Sequence, residues 1–361
     1  MLRPATLLPA AMLMLGACAA ASPHTAVSPA PAAAPAADRR AIDEQGFVPI
    51  GGIAQWVTIR GEDRRNPVVL FLHGGPGNPL SPYSNALYGD WTERFTIVQW
   101  DQRGAGRTFG RNPADADTLL TMDRMTRDGV EVAEYLQRHL GADRIVLVGG
   151  SWGSALGLHM VKLRPDLFRL YVGVGQLVEQ GANQAASIRR LRLLADAAGD
   201  EATTAALQAL GPPPWTNPRN FGILRRLTRA YEAKAVDAAP ASWWVADPAY
   251  APRAYEAEYE GGEDYSYLQF VGRDGRGLLG EVDVRALGTR FDVPIHLIQG
   301  AEDLVTTPGV ARSWFDGIDA PQKSFLLLDR TGHDPNPASQ AAVRRILEAH
   351  AGPDAGRQPT P

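Results

Sequence analysis

Gly149-Gly150-Ser151-Trp152-Gly153 places a serine between glycines, and two residue types later in the chain could turn its hydroxyl into a nucleophile. A hydroxyl attacks a carbonyl only when a base takes its proton, and the base needs a carboxylate to orient it. The chain has seven histidines. His24 lies in a Pro/Ala stretch, His139 and His350 end helical patterns, and His159 lies inside one. His296 falls in an apolar strand pattern and His73 in a glycine loop. His333, in Arg330-Thr-Gly-His-Asp-Pro335, sits in a loop just past the last strand-like run, and it is the base that the pattern selects. For the carboxylate, Asp303 follows the run Ile295–Gly300. Its competitors are Glu302, which precedes the turn, and Asp334, which is badly placed to reach the far ring nitrogen of its neighbour His333. These three types together do acyl transfer.

An attacked carbonyl becomes an oxyanion, and each preorganised N–H donor aimed at it is worth roughly 10²- to 10³-fold in rate. The Trp152 amide, first after the serine, is one candidate donor. The second falls in His73-Gly-Gly-Pro-Gly77, at Gly75, with Gly74 the alternative. His73 reads as a hydrogen-bonder within that loop. Asp101 and Arg103, after another apolar run, are expected to form a buried ion pair that shapes the site.

The elements that must position these residues can be read from periodicity. Ile145–Val148 is wholly apolar and β-branched, as in a parallel strand covered on both faces, and a helix follows Ser151 at once. Such a strand–turn–helix forces a sharp reversal, which Gly149 and Gly153 permit. Phe47–Ile50 and Ile53–Arg60 flank Gly51-Gly52 as a hairpin would. Val68–Leu72, Phe95–Trp100, Leu170–Val174, Pro294–Gly300 and Lys323–Leu328 read as further strands. They alternate with helices over Met122–Leu140, Pro308–Phe315 and Ser339–His350. Residues 177–267 break the alternation with helical stretches at Ala185–Ala198, Glu201–Leu210 and Phe221–Val236. Three tryptophans and a dense acidic set between Asp247 and Asp264 accompany them. The expected architecture is α/β: a mostly parallel, doubly wound sheet domain (46–176 and 268–351) with a helical cap (177–267) inserted, then a tail (352–361).

Composition is that of a globular protein, 45% hydrophobic and 21% charged, with net charge −4, and no basic stripe suggests nucleic acid. The single cysteine, Cys18, excludes an intramolecular disulfide and a cysteine-based metal site. Residues 1–17 have Arg3, an apolar run and Leu15-Gly16-Ala17 before Cys18, the layout of an export signal. That ending resembles a bacterial lipobox, which implies lipidation at Cys18, and Ala19 after it implies the outer membrane, on the periplasmic side. Ala/Pro-rich residues 18–45 read as a tether. Attachment would be by lipid rather than by a spanning segment.

Together, His73-Gly-Gly-Pro-Gly77, Asp101-Gln-Arg-Gly-Ala-Gly-Arg107, Gly149-Gly-Ser-Trp-Gly-Ser154, Gly300–Asp303 and Gly332-His333 resemble the proline iminopeptidases, serine aminopeptidases of the α/β-hydrolase fold. The order Ser151, Asp303, His333 is also the α/β-hydrolase order. The resemblance covers about Gly46–Gly175 and Pro294–His350. It implies release of an N-terminal proline from a short peptide through an acyl-enzyme, without cofactor, and cap glutamates that bind the α-amine. Arg229-Ala-Tyr-Glu232 is similar to the first glutamate segment and Glu263-Asp-Tyr-Ser-Tyr267 to the second, which implicates Glu232 and Glu263. Thr108 stands where the family has serine. The alternatives are an esterase, lactonase or amidase with the same triad and no amine recognition, or a non-catalytic binding protein of this fold.

Overall fold

In the central strand Val68–Leu72, Val68, Leu70 and Leu72 face one apolar layer while Val69 and Phe71 face the other, so successive side chains feed two cores. That strand belongs to an eight-stranded sheet in a computed structural model that describes residues 41–351 apart from Pro76 and Ala116. The proposed leader, Cys18, residues 18–40 of the tether and the tail at 352–361 lie outside the described residues. The strands are β1 (Ile42–Ile50), β2 (Ile53–Gly61), β3 (Val68–Leu72), β4 (Thr96–Trp100), β5 (Ile145–Gly150), β6 (Phe168–Val174), β7 (Ile295–Gly300) and β8 (Lys323–Leu328). They lie in the order β1-β2-β4-β3-β5-β6-β7-β8. From β4 to β8 all neighbours are parallel, and the β1–β2 hairpin adds antiparallel to that edge.

Helices α1 (Ser84–Tyr88), α2 (Gly106–Arg111), α3 (Met122–Leu140) and α4 (Trp152–Leu163) belong to the first half of the sheet domain. The second half contributes α9 (Pro308–Asp316) and α10 (Pro337–His350). Side chains of α3, α4 and α9 fill one apolar layer, and those of α1 and α10 fill the other. Between β6 and β7 lies the cap, built from α5 (Gln180–Ala198), α6 (Glu201–Leu210), α7 (Arg219–Glu232) and α8 (Arg253–Val271). Its own core comprises Ile188, Leu191, Leu207, Leu224 and Tyr231, and it takes in Leu304 from the loop after β7. The cap is therefore packed onto the loop that carries Asp303.

Two boundaries differ from expectation. Strand β1 begins at Ile42, ahead of the expected start near Gly46, because Ile42 and Ile50 are buried at its two ends while the residues between them face outward in part. Helix α8 runs to Val271, past residue 267, and it was hidden by its acidic residues and by Gly261-Gly262. Gly262 lets α8 close on a loop of the sheet domain: a Cβ there would stand 3.1 Å from Gly106 N and 3.2 Å from Gly104 O. Of the cap tryptophans, Trp215 packs partly on the cap core and Trp243 on the sheet core, while Trp244 is exposed.

Candidate active site

Strand β5 ends at Gly150, and Ser151 follows with φ +51°, ψ −120°, a conformation rare for a residue with a side chain. The turn holds because nothing but hydrogen fits on its flanks. A Cβ on Gly149 would lie 2.3 Å from Gly153 O, and one on Gly153 would lie 2.2 Å from Leu72 O. Ser151 N donates to Val174 O at the end of β6, and Ser154 Oγ donates back to Ser151 O at 2.5 Å. The hydroxyl thus stands at a pinned corner above the carboxyl ends of the parallel strands.

The structure brings Ser151, His333 and Asp303 together across 182 and 30 residues of sequence. Ser151 Oγ lies 2.9 Å from His333 Nε2, and His333 Nδ1 lies 3.1 and 3.2 Å from the two Asp303 oxygens. Four other donors reach the Asp303 carboxylate: Val305 N and Thr306 N on Oδ1, both at 2.8 Å, and Thr306 Oγ1 at 2.7 Å and Gln299 Nε2 at 3.0 Å on Oδ2. Burial alone would raise the Asp303 pKa, but the His333 charge and these hydrogen bonds hold it below the usual aspartate value. Burial would lower His333, and the adjoining Asp303 charge instead sets it above the usual 6.5. The arrangement can move a proton from serine to imidazole with the resulting charge balanced. Glu302 donates its amide to Thr331 O and takes no part in this chain of bonds, and Asp334 is exposed.

The glycine loop lies against the serine. A Cβ on Gly74 would be 3.3 Å from Ser151 Cβ, and Gly75 follows in a turn so tight that its own Cβ would meet Gly77 N at 2.4 Å. Trp152 N and Gly75 N have no acceptor among the described residues, which leaves both free for an oxyanion. A polar network steadies the two sides. Trp152 Nε1 donates to Gln102 Oε1 at 3.0 Å, Gln102 Nε2 donates to His73 O, and Gln102 N donates to His73 Nε2 at 3.2 Å. His73 Nδ1 in turn donates to Gly74 O at 2.7 Å. Burial pushes the His73 pKa down to about 4, so it stays neutral and keeps that tautomer.

Asp101 and Arg103 do not pair. Arg103 forms its ion pair with Asp128 at 2.7 Å and donates to Gly51 O, and so ties the hairpin turn to α3. The Asp101 carboxylate accepts from Ser81 Oγ and Arg107 N, and burial raises its pKa to about 7. The two side chains leave the same loop toward different partners, a divergence that adjacency in sequence cannot show. Thr108 Oγ1 donates to Asp101 O and accepts from Trp56 N, which a serine hydroxyl could also do.

The two cap glutamates lie in different surroundings, and no hydrogen bond joins them. Glu232, at the end of α7, is buried, with Oε1 accepting from Leu304 N at 2.7 Å and Oε2 from His333 N at 3.1 Å. It straps the acid loop to the histidine loop, and burial followed by the nearby Asp303 charge raises its pKa. Gly332 makes room for it, since a Cβ there would fall 2.8 Å from Glu232 Oε2. Glu263, on α8, is exposed and accepts from Asn78 Nδ2 at 3.0 Å, just past the glycine loop.

Sequence reading did not single out Gln299, Thr306 or Gln102. Gln299 carried a signal, being a polar residue in the otherwise apolar half of β7, and Gln102 lay inside a motif already noted.

The family model described as alpha/beta hydrolase fold matches residues 67–337. The chain belongs to the α/β-hydrolase family. It is 26% identical over 307 residues to a probable aminopeptidase, YbaC, of Bacillus subtilis, covering 84% of this chain and 94% of that one. It is 27% identical over 311 residues to a probable proline iminopeptidase of Streptomyces coelicolor, covering 83% and 92%. The crystal structure of a proline iminopeptidase from Mycobacterium smegmatis superposes with a TM-score of 0.59 at 20% identity, over 85% of this chain and 98% of that one. That last likeness speaks for the fold alone.

Proposed function

We propose that this chain is a serine aminopeptidase that releases an N-terminal residue, proline or one similar to it, from short peptides. The observation that carries the chemistry is Ser151 Oγ, on a turn with positive φ, 2.9 Å from a His333 ring whose other nitrogen faces Asp303. Ser151 Oγ attacks the scissile carbonyl as its proton passes to His333 Nε2, and the oxyanion lies against Trp152 N–H and Gly75 N–H. Collapse breaks the C–N bond, and the same Nε2 proton goes to the departing amine. Water, deprotonated by His333, then attacks the acyl-enzyme and frees Ser151 with its proton restored.

Peptide substrates are supported by the names of the two relatives that span most of this chain. Of the two cap carboxylates, Glu263 has the exposure that an amine ligand needs and stands beside the glycine loop. The commitment of both Glu232 oxygens to backbone amides favours a second reading, the same triad acting on esters or amides that lack an α-amine. Hydrolysis of an L-prolyl arylamide, of its N-acetylated form and of an acetyl ester, by wild type and Ser151→Ala, separates the two. The aminopeptidase reading expects turnover of the free prolyl arylamide alone among the arylamides, lost in Ser151→Ala. Ester turnover without arylamide turnover contradicts it.

A further inference from the structure

We infer that Arg225 is a substrate anchor: its guanidinium, carried by the cap above His333, binds a carboxylate on the departing part of the substrate. Taken with the proposed aminopeptidase reading, on which the choice of peptide rests, that carboxylate is the C-terminus of a dipeptide.

The placement follows from helix geometry. Arg225 precedes Glu232 by seven residues, two turns of α7, so the two share one face with Thr228 between them, about 10 Å apart along the axis. Glu232 fixes what that face looks onto, since its carboxylate holds Leu304 N and His333 N. Two turns earlier, the same face carries Arg225, near enough for its charge to act on His333, the residue that protonates the departing group. The charges that act on Arg225 agree with this position: Arg229 and Glu232 on its own helix, Asp334 beside His333, and Asp303 on the loop after β7. Arg225 is among the charges that act on His333.

Arg225 is also unpaired. It forms no ion pair with a carboxylate among the described residues, and its one side-chain hydrogen bond, to Thr228 Oγ1, is 3.4 Å long. Yet it is partly covered, and burial with the neighbouring Arg229 charge holds its pKa below the usual arginine value. The other buried or half-buried arginines near the site are satisfied: Arg103 has Asp128, and Arg107 stacks on Trp56 and Tyr250 with its Nη2 on Ala249 O. A desolvated guanidinium without a counter-ion is costly to fold around and well suited to a planar anion that accepts two parallel hydrogen bonds. A cationic α-amine would be repelled here, which leaves it Glu263, the exposed carboxylate that α8 brings beside the glycine loop.

The test compares L-prolylglycine with L-prolylglycinamide, at a pH above the His333 titration, on wild type, Arg225→Gln and Arg225→Lys. Wild type is expected to favour the free acid by roughly tenfold or more in kcat/KM, Arg225→Gln to lose the preference, and Arg225→Lys to keep part of it. A residue that merely supports the cap would lower both substrates by the same factor, so an unchanged ratio in Arg225→Gln overturns the proposal, as does equal use of both by wild type. Turnover of the prolyl arylamide tests the aminopeptidase reading separately. Should no peptide be cleaved, protection of Ser151 from a fluorophosphonate by 4-phenylbutyrate against 4-phenylbutyramide decides instead. Carboxylate-selective protection that disappears in Arg225→Gln upholds the anchor for another acid substrate. Equal protection by the two overturns it.

Discussion

Ser151, His333 and Asp303 form a chain in which each group fixes the protonation of the next, and the pH dependence follows from the signs. Burial alone would lower the His333 pKa, but Asp303 more than offsets it and leaves it above 6.5. The neutral imidazole is the working base, so activity is full above that pKa and is lost as pH falls through it. For an uncharged ester, kcat/KM between about pH 5 and 9 should trace one limb with its midpoint above about 6.5. A flat profile would remove His333 from the role of base. The three residues were legible in the sequence because each is a distinct type at the end of a recognisable strand. The donors that hold Asp303 were not. Thr306 is an ordinary loop threonine until the turn after β7 brings its amide and hydroxyl onto one carboxylate. The expected Asp101–Arg103 pair failed for a related reason: neighbours on a loop share a position but not a direction.

Elements explain the rest of the site's rigidity. Strands β5 and β7 deliver Ser151 and Asp303 to one edge, and α7 locks the two loops that carry Asp303 and His333 through one side chain, Glu232. Glu232→Gln puts an amide where one backbone N–H now finds a carboxylate oxygen, and a buried donor left unpaired costs about 1–3 kcal/mol. The expected result is a lower melting temperature and kcat reduced by roughly tenfold with KM for the arylamide changed by no more than about twofold, because a loosened strap misplaces the base without touching the substrate. A higher KM with kcat intact would make Glu232 an amine ligand after all. Strands and the elbow helix were readable from period and glycine placement, since their apolar runs are short and continuous. Helix α8 was not, because it holds two glycines that normally argue against a helix: Gly262 lets it approach the 104–106 loop, and Gly261 faces the Phe109 ring.

At the scale of the molecule, the family match over residues 67–337 fixes the scaffold. The cap core takes in Leu304, next to Asp303, so cap packing and triad geometry are linked. The α/β class and the inserted cap were readable because alternation of strands and helices stops at β6 and resumes at β7. What the cap recognises was not readable, since whether Glu232 faces solvent or two backbone amides, and whether Arg225 has a partner, are facts of packing. Whether Ser151 is an activated nucleophile can be read by intact-protein and peptide mass spectrometry after exposure to a fluorophosphonate. One adduct per chain is expected, on Ser151, formed much more slowly in His333→Gln. A folded protein that takes up no adduct, or takes it up elsewhere, would contradict that role for Ser151.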